Sequence, residues 1–299
     1  MNIKKALSSN RLLRALTGLN IIEFNDLCIL FKQELYISKK NKSDRLRAVG
    51  GGRKGALLND EEKLFYILFY FKVYPTFDMA SFVFGVHRSR AHEWVQRLQV
   101  ILERCLGKAL VLPKRQISTP DELFELIPGI QDLFVDGVER KALRAKKPKT
   151  ANKCYSGKKK THTRKNIIGC DERRRIVFLS KSKNGKLHDK KALDKSLFPH
   201  FLPEELTLWV DKGFRGINRI VKSKIMMPKH NSKKNPLSKE EKLNNATISG
   251  IRMTVEHAIN GIKRFGIIAN PFRNKNGKDD KVTHLCAGIW NWHLNYLDK

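Results

Sequence analysis

The sequence is poor in acidic residues. It has 29 Asp and Glu against 60 Lys and Arg, which gives a formal net charge of +31. This excess is far outside what surface solubility requires, and it predicts a polyanionic partner whose binding weakens steeply as salt rises. A ribosome-associated or membrane-surface protein is also basic, but the composition favours nucleic acid.

The sequence is also poor in cysteine and in long apolar runs. Its five cysteines are scattered and include no C-x-x-C pair, so we expect reduced thiols and neither a disulfide framework nor a zinc site. No stretch approaches about 18 consecutive apolar residues, and the basic N-terminal segment has no unbroken apolar core. These absences predict a soluble cytoplasmic protein with no membrane span.

The chain is long enough for two folded regions. Its 299 residues are 41% hydrophobic, which suffices for one sizeable core and a smaller helical one. We expect N-terminal helices with a basic, glycine-containing arm in residues 1–57, a helical domain in 58–112, and an α/β domain in 130–299. The arm itself, Lys39 to Lys54, is either a linker or an extended segment that lies along a DNA backbone or minor groove.

The helical domain has the pattern of a helix-turn-helix. The segment FDMASFVF ends at Gly85 in a tight turn, and the next helix has an apolar face and polar residues near its start. In a helix-turn-helix, the second helix offers such residues to the major groove. We therefore expect Arg88 and Arg90 to contact DNA, although a plain three-helix bundle has the same apolar pattern.

After Pro113 the sequence changes to an α/β pattern, which predicts a mixed sheet with helices on its faces. The expected strands are at 133–137, 166–170, 175–180, 206–211 and 224–229. The expected helices are at 188–197, after Gly213, from Ser238 or Thr247 to Arg264, and within 277–299.

Three acids occupy positions that a strand or a helix would hold rigidly. Asp136 ends the strand LFVD, Asp211 ends LTLWVD, and Glu256 lies on the last long helix before the closing one. Carboxylates suit Mg²⁺ or Mn²⁺, and two such ions about 4 Å apart would activate a nucleophile and stabilise the leaving oxygen of a phosphodiester. A single strand-end Asp is more often a turn or cap residue, but the three together in so basic a chain indicate a metal site.

Four stretches resemble the DDE transposases of bacterial insertion sequences: LFVDGVER, CYSGKKKTHTRKNIIGCD, LWVDKGFRG and RMTVEHAINGIKRF. The resemblance implies a ribonuclease H-like catalytic domain after an N-terminal helix-turn-helix, with Asp136, Asp211 and Glu256 as catalytic and metal-binding acids. It implies two Mg²⁺ ions, for which Mn²⁺ can substitute.

The same resemblance implies a reaction and its partners. The protein would bind the terminal inverted repeats of its element in double-stranded DNA, nick each end, and join the freed 3′ hydroxyl to target DNA without a covalent protein intermediate. Because two ends must be brought together, a homodimer is expected in the synaptic complex. The expected location is the nucleoid of a bacterial cytoplasm.

The third motif is similar to a Tyr-Arg-Glu-Lys pattern in related groups. Arg252, Glu256 and Lys263 keep its spacing and fall on one helix face, whereas Ser249 stands at the tyrosine position. The pattern implies DNA contacts for Arg252 and Lys263, and the serine argues against a hairpin-opening role borrowed from the tyrosine. By themselves these residues also fit a salt-bridged helix surface.

A pair of residues, His188 and Asp189, matches a further His-Asp pair of the same group. We expect Asp189 to be a helix N-cap rather than a catalytic residue.

A basic segment follows the first acid. From Arg140 to Lys165 there are twelve Lys or Arg and no Asp or Glu. Such a run is often only solvated, but its place between the first acid and the second strand favours contact with DNA phosphates. The favoured contacts are Lys158, Lys159, Lys160 and Arg164.

Three other functions stay open on the sequence alone. A transposase-derived DNA-binding protein would have lost an acid, and all three are present. A metal-dependent nuclease without strand transfer has the same site, so only end-specific joining separates it. An RNA-binding protein is disfavoured because aromatic-rich strand motifs are absent.

Overall fold

The structure, a computed structural model, describes residues 2–40, 55–233, 235–274 and 278–297. The chain forms two compact units. Unit 1 is Met1–Leu112, Arg264–Ala269 and Gly288–Lys299, and unit 2 is Pro113–Lys263 and Asn270–Ala287. The domain bounds expected from the sequence stay a prediction. Most of the predicted basic arm, from residue 41 to 54, lies outside the described residues.

Unit 1 is helical, and α4 is its centre. Its helices are α1 (Ile3–Leu7), α2 (Asn10–Thr17), α3 (Ile21–Lys40), α4 (Asp60–Val73), α5 (Phe77–Phe84), α6 (Arg88–Lys108) and the short α12 (Gly266–Ala269). Eight consecutive residues of α4, from Leu64 to Phe71, are buried. A helix that is apolar on all sides must lie within a core, and α2, α3, α6 and α12 all pack against α4.

The helix-turn-helix is formed by α5 and α6. Gly85 ends α5 with φ +62°, and α6 begins three residues later at Arg88. The Tyr66 hydroxyl of α4 donates to the Ala91 carbonyl at 2.7 Å, which fixes the start of α6 on the buried helix. The predicted helix-turn-helix is confirmed.

Unit 2 is built on a mixed sheet. Its strands are β1 (Asp132–Lys141), β2 (Tyr155–Ser156), β3 (Thr161–Cys170), β4 (Ile176–Leu179), β5 (Lys183–Asn184), β6 (Thr207–Val210) and β7 (Lys224–Met226). The strand order is β2-β3-β1-β6-β7, with β4 and β5 also paired to β3. β1 is antiparallel to β3 and parallel to β6.

Helices flank this sheet, which completes the predicted ribonuclease H-like fold. The helices of this unit are α7 (Pro120–Leu126), α8 (Pro148–Cys154), α9 (Asp189–Asp194), α10 (Lys239–Ile251) and α11 (Met253–Lys263), of which α8, α9 and α11 contact β1 or β3. The last helix, α13 (Lys278–Leu294), begins in unit 2 and ends in unit 1. The core of unit 2 includes Leu133 and Val135 of β1 with Leu208 and Val210 of β6.

Three predicted elements differ from the structure. β1 does not end at residue 137 but continues to Lys141, because β3 pairs with it up to that residue. After Gly213 the described chain forms two short 3-10 turns, Lys212–Phe214 and Ile217–Arg219, in place of an α-helix. The predicted single helix ending near Arg264 is divided into α10 and α11 at Arg252, whose side chain is buried against the sheet.

Two further expectations concern the cysteines and the membrane spans. The five cysteines are free and buried. Among the helices of the described residues, none has the length and apolar content needed to cross a membrane.

Candidate active site

Asp136 and Asp211 lie side by side on neighbouring parallel strands. Val135 of β1 and Val210 of β6 are the last paired residues of their register, and each acid follows its valine directly. Paired residues of parallel strands point to the same face of the sheet, so the two carboxylates leave the sheet together. The parallel pairing of β1 and β6 thus brings two of the three predicted acids together.

The Arg252 guanidinium bridges the two carboxylates. Its Nη1 donates to Asp211 Oδ1 at 3.4 Å and its Nη2 donates to Asp136 Oδ2 at 3.5 Å. Arg252 is only 7% exposed, and it lies at the junction of α10 and α11. A single cationic group therefore holds two acids that would otherwise repel each other.

The environment of Asp136 has opposing effects on its ionisation. Burial raises the pKa of Asp136, while the Gly137 N–H, which donates to Oδ1 at 2.7 Å, and the Arg252 charge lower it. The negative charges of Asp211 and Asp189 raise it again. The net direction is upward, with burial as the largest cause and the two neighbouring carboxylates as smaller ones.

Asp189 is the third of these carboxylates. A β-carbon added at Gly137 would lie 2.8 Å from Asp189 Oδ1, and one at Gly213 would lie 3.3 Å from Oδ2. Asp189 thus fits against the backbone just after Asp136 and just after Asp211. The N-cap prediction for Asp189 is wrong, because α9 begins at Asp189 and the N-cap residue is His188.

A buried lysine holds Asp189 in place. Lys165 Nζ lies 2.7 Å from Asp189 Oδ1 and 3.1 Å from Glu139 Oε1, and it donates to the Leu187 carbonyl at 2.9 Å. Burial alone would lower the pKa of Lys165, and the pairing with Asp189 and Glu139 reverses this and raises it. The Lys165 ammonium therefore has one hydrogen-bond acceptor, the Leu187 carbonyl, and two ion-pair partners.

We expect Gly137→Ala to lower cleavage by about 10- to 100-fold, the loss typical of disturbed groups behind a metal site. The new methyl would displace the Asp189 carboxylate, which Lys165 holds. Gly250→Ala is the matched control, because its β-carbon would meet nothing within 4 Å. Initial rates and thermal midpoints of both variants test this, and equal rates would contradict it.

The third predicted acid does not join this cluster. Glu256 is on α11, is exposed, and forms no ion pair with another described residue. Lys263, seven residues further along α11, does lie near the cluster. Burial and the charge of Lys159 lower the pKa of Lys263, while Asp136 and Glu139 raise it.

The carboxylates of Asp136 and Asp211 fit a divalent cation. Carboxylate oxygens are the ligands that Mg²⁺ and Mn²⁺ prefer, and the Arg252 guanidinium is a stand-in cation between them. Within the described residues, however, no group of three or more His, Cys, Asp or Glu is arranged to hold a metal. In this structure the fit therefore rests on Asp136 and Asp211 alone.

The basic segment after Asp136 is divided between the surface and the interior. Lys158, Lys159 and Lys160 are exposed. Arg164 instead points inward, where its Nε donates to Asp279 Oδ2 at 3.4 Å and its Nη1 donates to Asn184 Oδ1 at 2.9 Å. Of the predicted phosphate contacts in this segment, the three lysines are available and Arg164 is engaged.

In the helix-turn-helix, both predicted DNA contacts are exposed on the first turn of α6. Arg88 Nε lies 3.4 Å from Asp78 Oδ1, and Arg90 Nη1 lies 2.9 Å from Glu93 Oε2. The two arginine side chains are 67% and 68% exposed. Exposed ion pairs of this kind contribute little to stability, so DNA phosphates can replace the acids.

The fold and the paired acids are those of a metal-dependent nuclease with an attached helix-turn-helix. The family model described as DDE superfamily endonuclease matches residues 135–291, and that described as helix-turn-helix of DDE superfamily endonuclease matches residues 56–108. The first match covers more than half of the chain, so the chain belongs to the DDE superfamily endonucleases. Members of this superfamily use divalent metal ions.

A similar protein comes from Microchaete diplosiphon. It is described as a probable transposase for insertion sequence element IS702, and it is 28% identical over 256 residues, which are 85% of this chain and 87% of that protein. No solved structure matches the chain.

Proposed function

We propose that this protein is the transposase of an insertion sequence: it binds the terminal inverted repeats of its element, cleaves the DNA there and transfers the ends to target DNA. The observation that carries the proposal is the pair Asp136 and Asp211, which β1 and β6 place side by side in a chain of this family. The similarity to the IS702 protein over most of both chains supports the same function.

The proposed catalytic and metal-binding residues are Asp136, Asp211 and Glu256. When bound, two Mg²⁺ ions, or Mn²⁺ in their place, would supply activation of the attacking oxygen and stabilisation of the leaving one. Asp136 and Asp211 would hold them from the sheet. Glu256, exposed on α11 at present, would complete the site after a movement of α11 or of its own side chain.

Arg252 is also a proposed DNA-binding residue. Its guanidinium neutralises the two acids in the structure, and a phosphate group is the natural partner for the same fork of donors. We expect Arg252 to leave the acids for the DNA backbone when cations bind, with Lys263 as a neighbouring phosphate contact. Lys158, Lys159 and Lys160 would contact the backbone further along.

The proposed DNA reader is α6, with Arg88 and Arg90 at its exposed start. Two element ends must meet for a coordinated reaction, so we propose a homodimer in the complex with double-stranded DNA. Arg164 would contact DNA phosphates after DNA binding releases its side chain from Asp279.

A joining assay tests the proposed function. The purified full chain is incubated with a labelled duplex that ends in its element's terminal sequence and with a supercoiled target plasmid, in Mg²⁺ or in EDTA. We expect nicks at the element boundary and labelled plasmid in Mg²⁺ only. A duplex with a scrambled terminus is the control.

The other outcomes identify the alternatives. Metal-dependent nicks without labelled plasmid would indicate a nuclease that lacks strand transfer. Tight, salt-sensitive binding with no cleavage in Mg²⁺ or Mn²⁺ would indicate a DNA-binding protein derived from a transposase.

A further inference from the structure

Unit 1 contains an open pocket of about 650 Å³ between α2 and the end of α4. It is lined by Asn10, Arg11, Arg14, Ala15 and Lys72. Three of these five residues are cationic and none is acidic, and α2 itself contains no Asp or Glu. The pocket therefore concentrates positive charge. The match to the helix-turn-helix family begins at residue 56, so Lys72 is the one pocket-lining residue inside the matched segment.

The two arginines of the pocket are available for a ligand. Arg11 and Arg14 are three residues apart on α2, so they lie on the same face, and both are exposed. Within the part of the chain that the structure describes, neither guanidinium has an acidic partner. Arg88 and Arg90 of α6, by contrast, are each paired with a carboxylate.

Lys72 is a fixed part of the pocket wall rather than a mobile surface lysine. Its Nζ donates to the Arg264 carbonyl at 2.8 Å, and burial, with the charge of Arg264, lowers the pKa of Lys72. Gly18, with φ +85°, ends α2 next to it: a β-carbon there would lie 3.1 Å from the Phe265 ring and 3.8 Å from Lys72 Cδ. One N–H of the ammonium is used by the carbonyl, which leaves two for a ligand.

The chemistry of the pocket selects a phosphate. A guanidinium presents a planar fork that matches two phosphate oxygens, and an ammonium binds phosphate as a point charge. The pocket is open and larger than one phosphate group, so a phosphate that continues into a chain can enter it. Ala15 adds a small apolar wall that a sugar can contact.

We propose that Arg11, Arg14 and Lys72 form a backbone-phosphate pocket that binds duplex DNA in addition to the helix-turn-helix. This inference rests on the proposed function only in taking DNA as the source of the phosphate. It assigns a function to α2, for which neither the motifs of the sequence nor the matched families provide one. The helix-turn-helix would then share the DNA with a sequence-independent contact in the same unit.

Salt-dependent binding of a labelled duplex of arbitrary sequence tests the pocket. Each phosphate contact adds about 0.9 to the slope of log affinity against log salt concentration. We expect the double variant Arg11→Ala and Arg14→Ala to reduce this slope by about 1 to 2 relative to the wild-type chain. Fluorescence anisotropy across a KCl series gives the slopes.

Lys4→Ala with Lys5→Ala is the matched control. It removes the same charge from the exposed face of α1, outside the pocket, so a general charge effect would change both slopes equally. We expect the control to change the slope by less than about half a unit. Lys72→Met, which keeps the aliphatic stem, is a second test of the pocket, and thermal midpoints confirm that each variant is folded.

Three results would overturn the proposal. Equal slopes for the two double variants would exclude the pocket while DNA binding by the protein stands. Absence of salt-dependent duplex binding by the wild-type chain would overturn both the pocket and the proposed function. Broadening of the ³¹P resonance of inorganic phosphate that depends on Arg11 and Arg14, with no change in the DNA slope, would assign the pocket to a free anion instead.

Discussion

Asp136→Asn and Glu256→Gln are each expected to abolish metal-dependent cleavage and to leave DNA binding nearly intact. Loss of a metal-binding carboxylate should remove about 4 kcal/mol of transition-state stabilisation, which is about 10³-fold in rate. DNA binding should persist because each change removes a negative charge from a surface that must meet phosphates. Cleavage rates in Mg²⁺ and anisotropy in EDTA give the two quantities separately.

The Glu256 variant tests whether Glu256 is the third catalytic acid. Glu240→Gln is its matched control, because Glu240 is an exposed glutamate on α10 with no proposed role in cleavage. If Glu256→Gln cleaves as fast as Glu240→Gln, Glu256 is not the third acid. Asp189, which already lies beside Asp136, would then be the next residue to test. Loss of cleavage and binding together would indicate a folding defect.

Part of the site follows from the sequence because the apolar pattern of each strand, and the acid that follows it, are local features. Apolar strands that each end in an acid predict adjacent carboxylates once the strands are parallel neighbours, and Val135 and Val210 are indeed paired. The helix-turn-helix follows in the same way, from the spacing of apolar residues around Gly85. Periodicity and turn residues are sufficient for these features.

The contacts of charged side chains do not follow from the sequence. The helical spacing of Arg252 to Glu256 predicts a DNA contact or a helix-surface residue. In the structure Arg252 lies between α10 and α11, and its side chain bridges Asp136 and Asp211. The sequence predicts Asp189 to be an N-cap residue because it precedes a helical pattern. Its contact with Gly137 depends on where α9 lies on the sheet, which no local pattern specifies.

The contacts of the basic segment after Asp136 also do not follow from the sequence. In the sequence it is a uniform positive run, which favours Lys158, Lys159, Lys160 and Arg164 as DNA contacts. In the structure Arg140 and Lys165 are buried on opposite faces of the sheet, since Arg140 is paired with Arg164 and Lys165 with Glu139, while the lysines of the loop before β3 are exposed. The acids that pair with the buried cations lie far away in sequence, as Asp279 does.

Asp279→Ala is expected to destabilise unit 2 by about 3 to 5 kcal/mol, the loss typical of a buried ion pair that loses one partner. Arg140 is 3% exposed and Asp279 is 5% exposed. Arg140 Nη2 donates to Asp279 Oδ2 at 3.0 Å, and Arg140 Nη1 donates to the Asp279 carbonyl at 3.0 Å. Without the carboxylate, a buried guanidinium keeps its charge and loses its counter-ion.

Hydrogen exchange in β1 and β3, followed by mass spectrometry, measures this loss within unit 2. A matched contrast is Glu204→Ala, which breaks a pair with Lys222 whose side chains are 64% and 80% exposed and should leave the stability of unit 2 nearly unchanged, because solvent screens an exposed pair. Asp279→Asn should fall between the two, because an amide oxygen still accepts from Arg140 but carries no charge.

The functional consequence follows from the position of Arg140, four residues after Asp136 on the same strand. The Arg140–Asp279 contact joins β1 to the start of α13. Loss of this contact should increase the motion of β1 and lower the cleavage rate, although Asp136 and Asp211 themselves are unchanged. Destabilisation by Asp279→Ala no larger than that by Glu204→Ala would mean that water reaches Arg140 and that the pair is not buried in solution. In that case the inward residues of the basic segment would again be candidates for DNA contact.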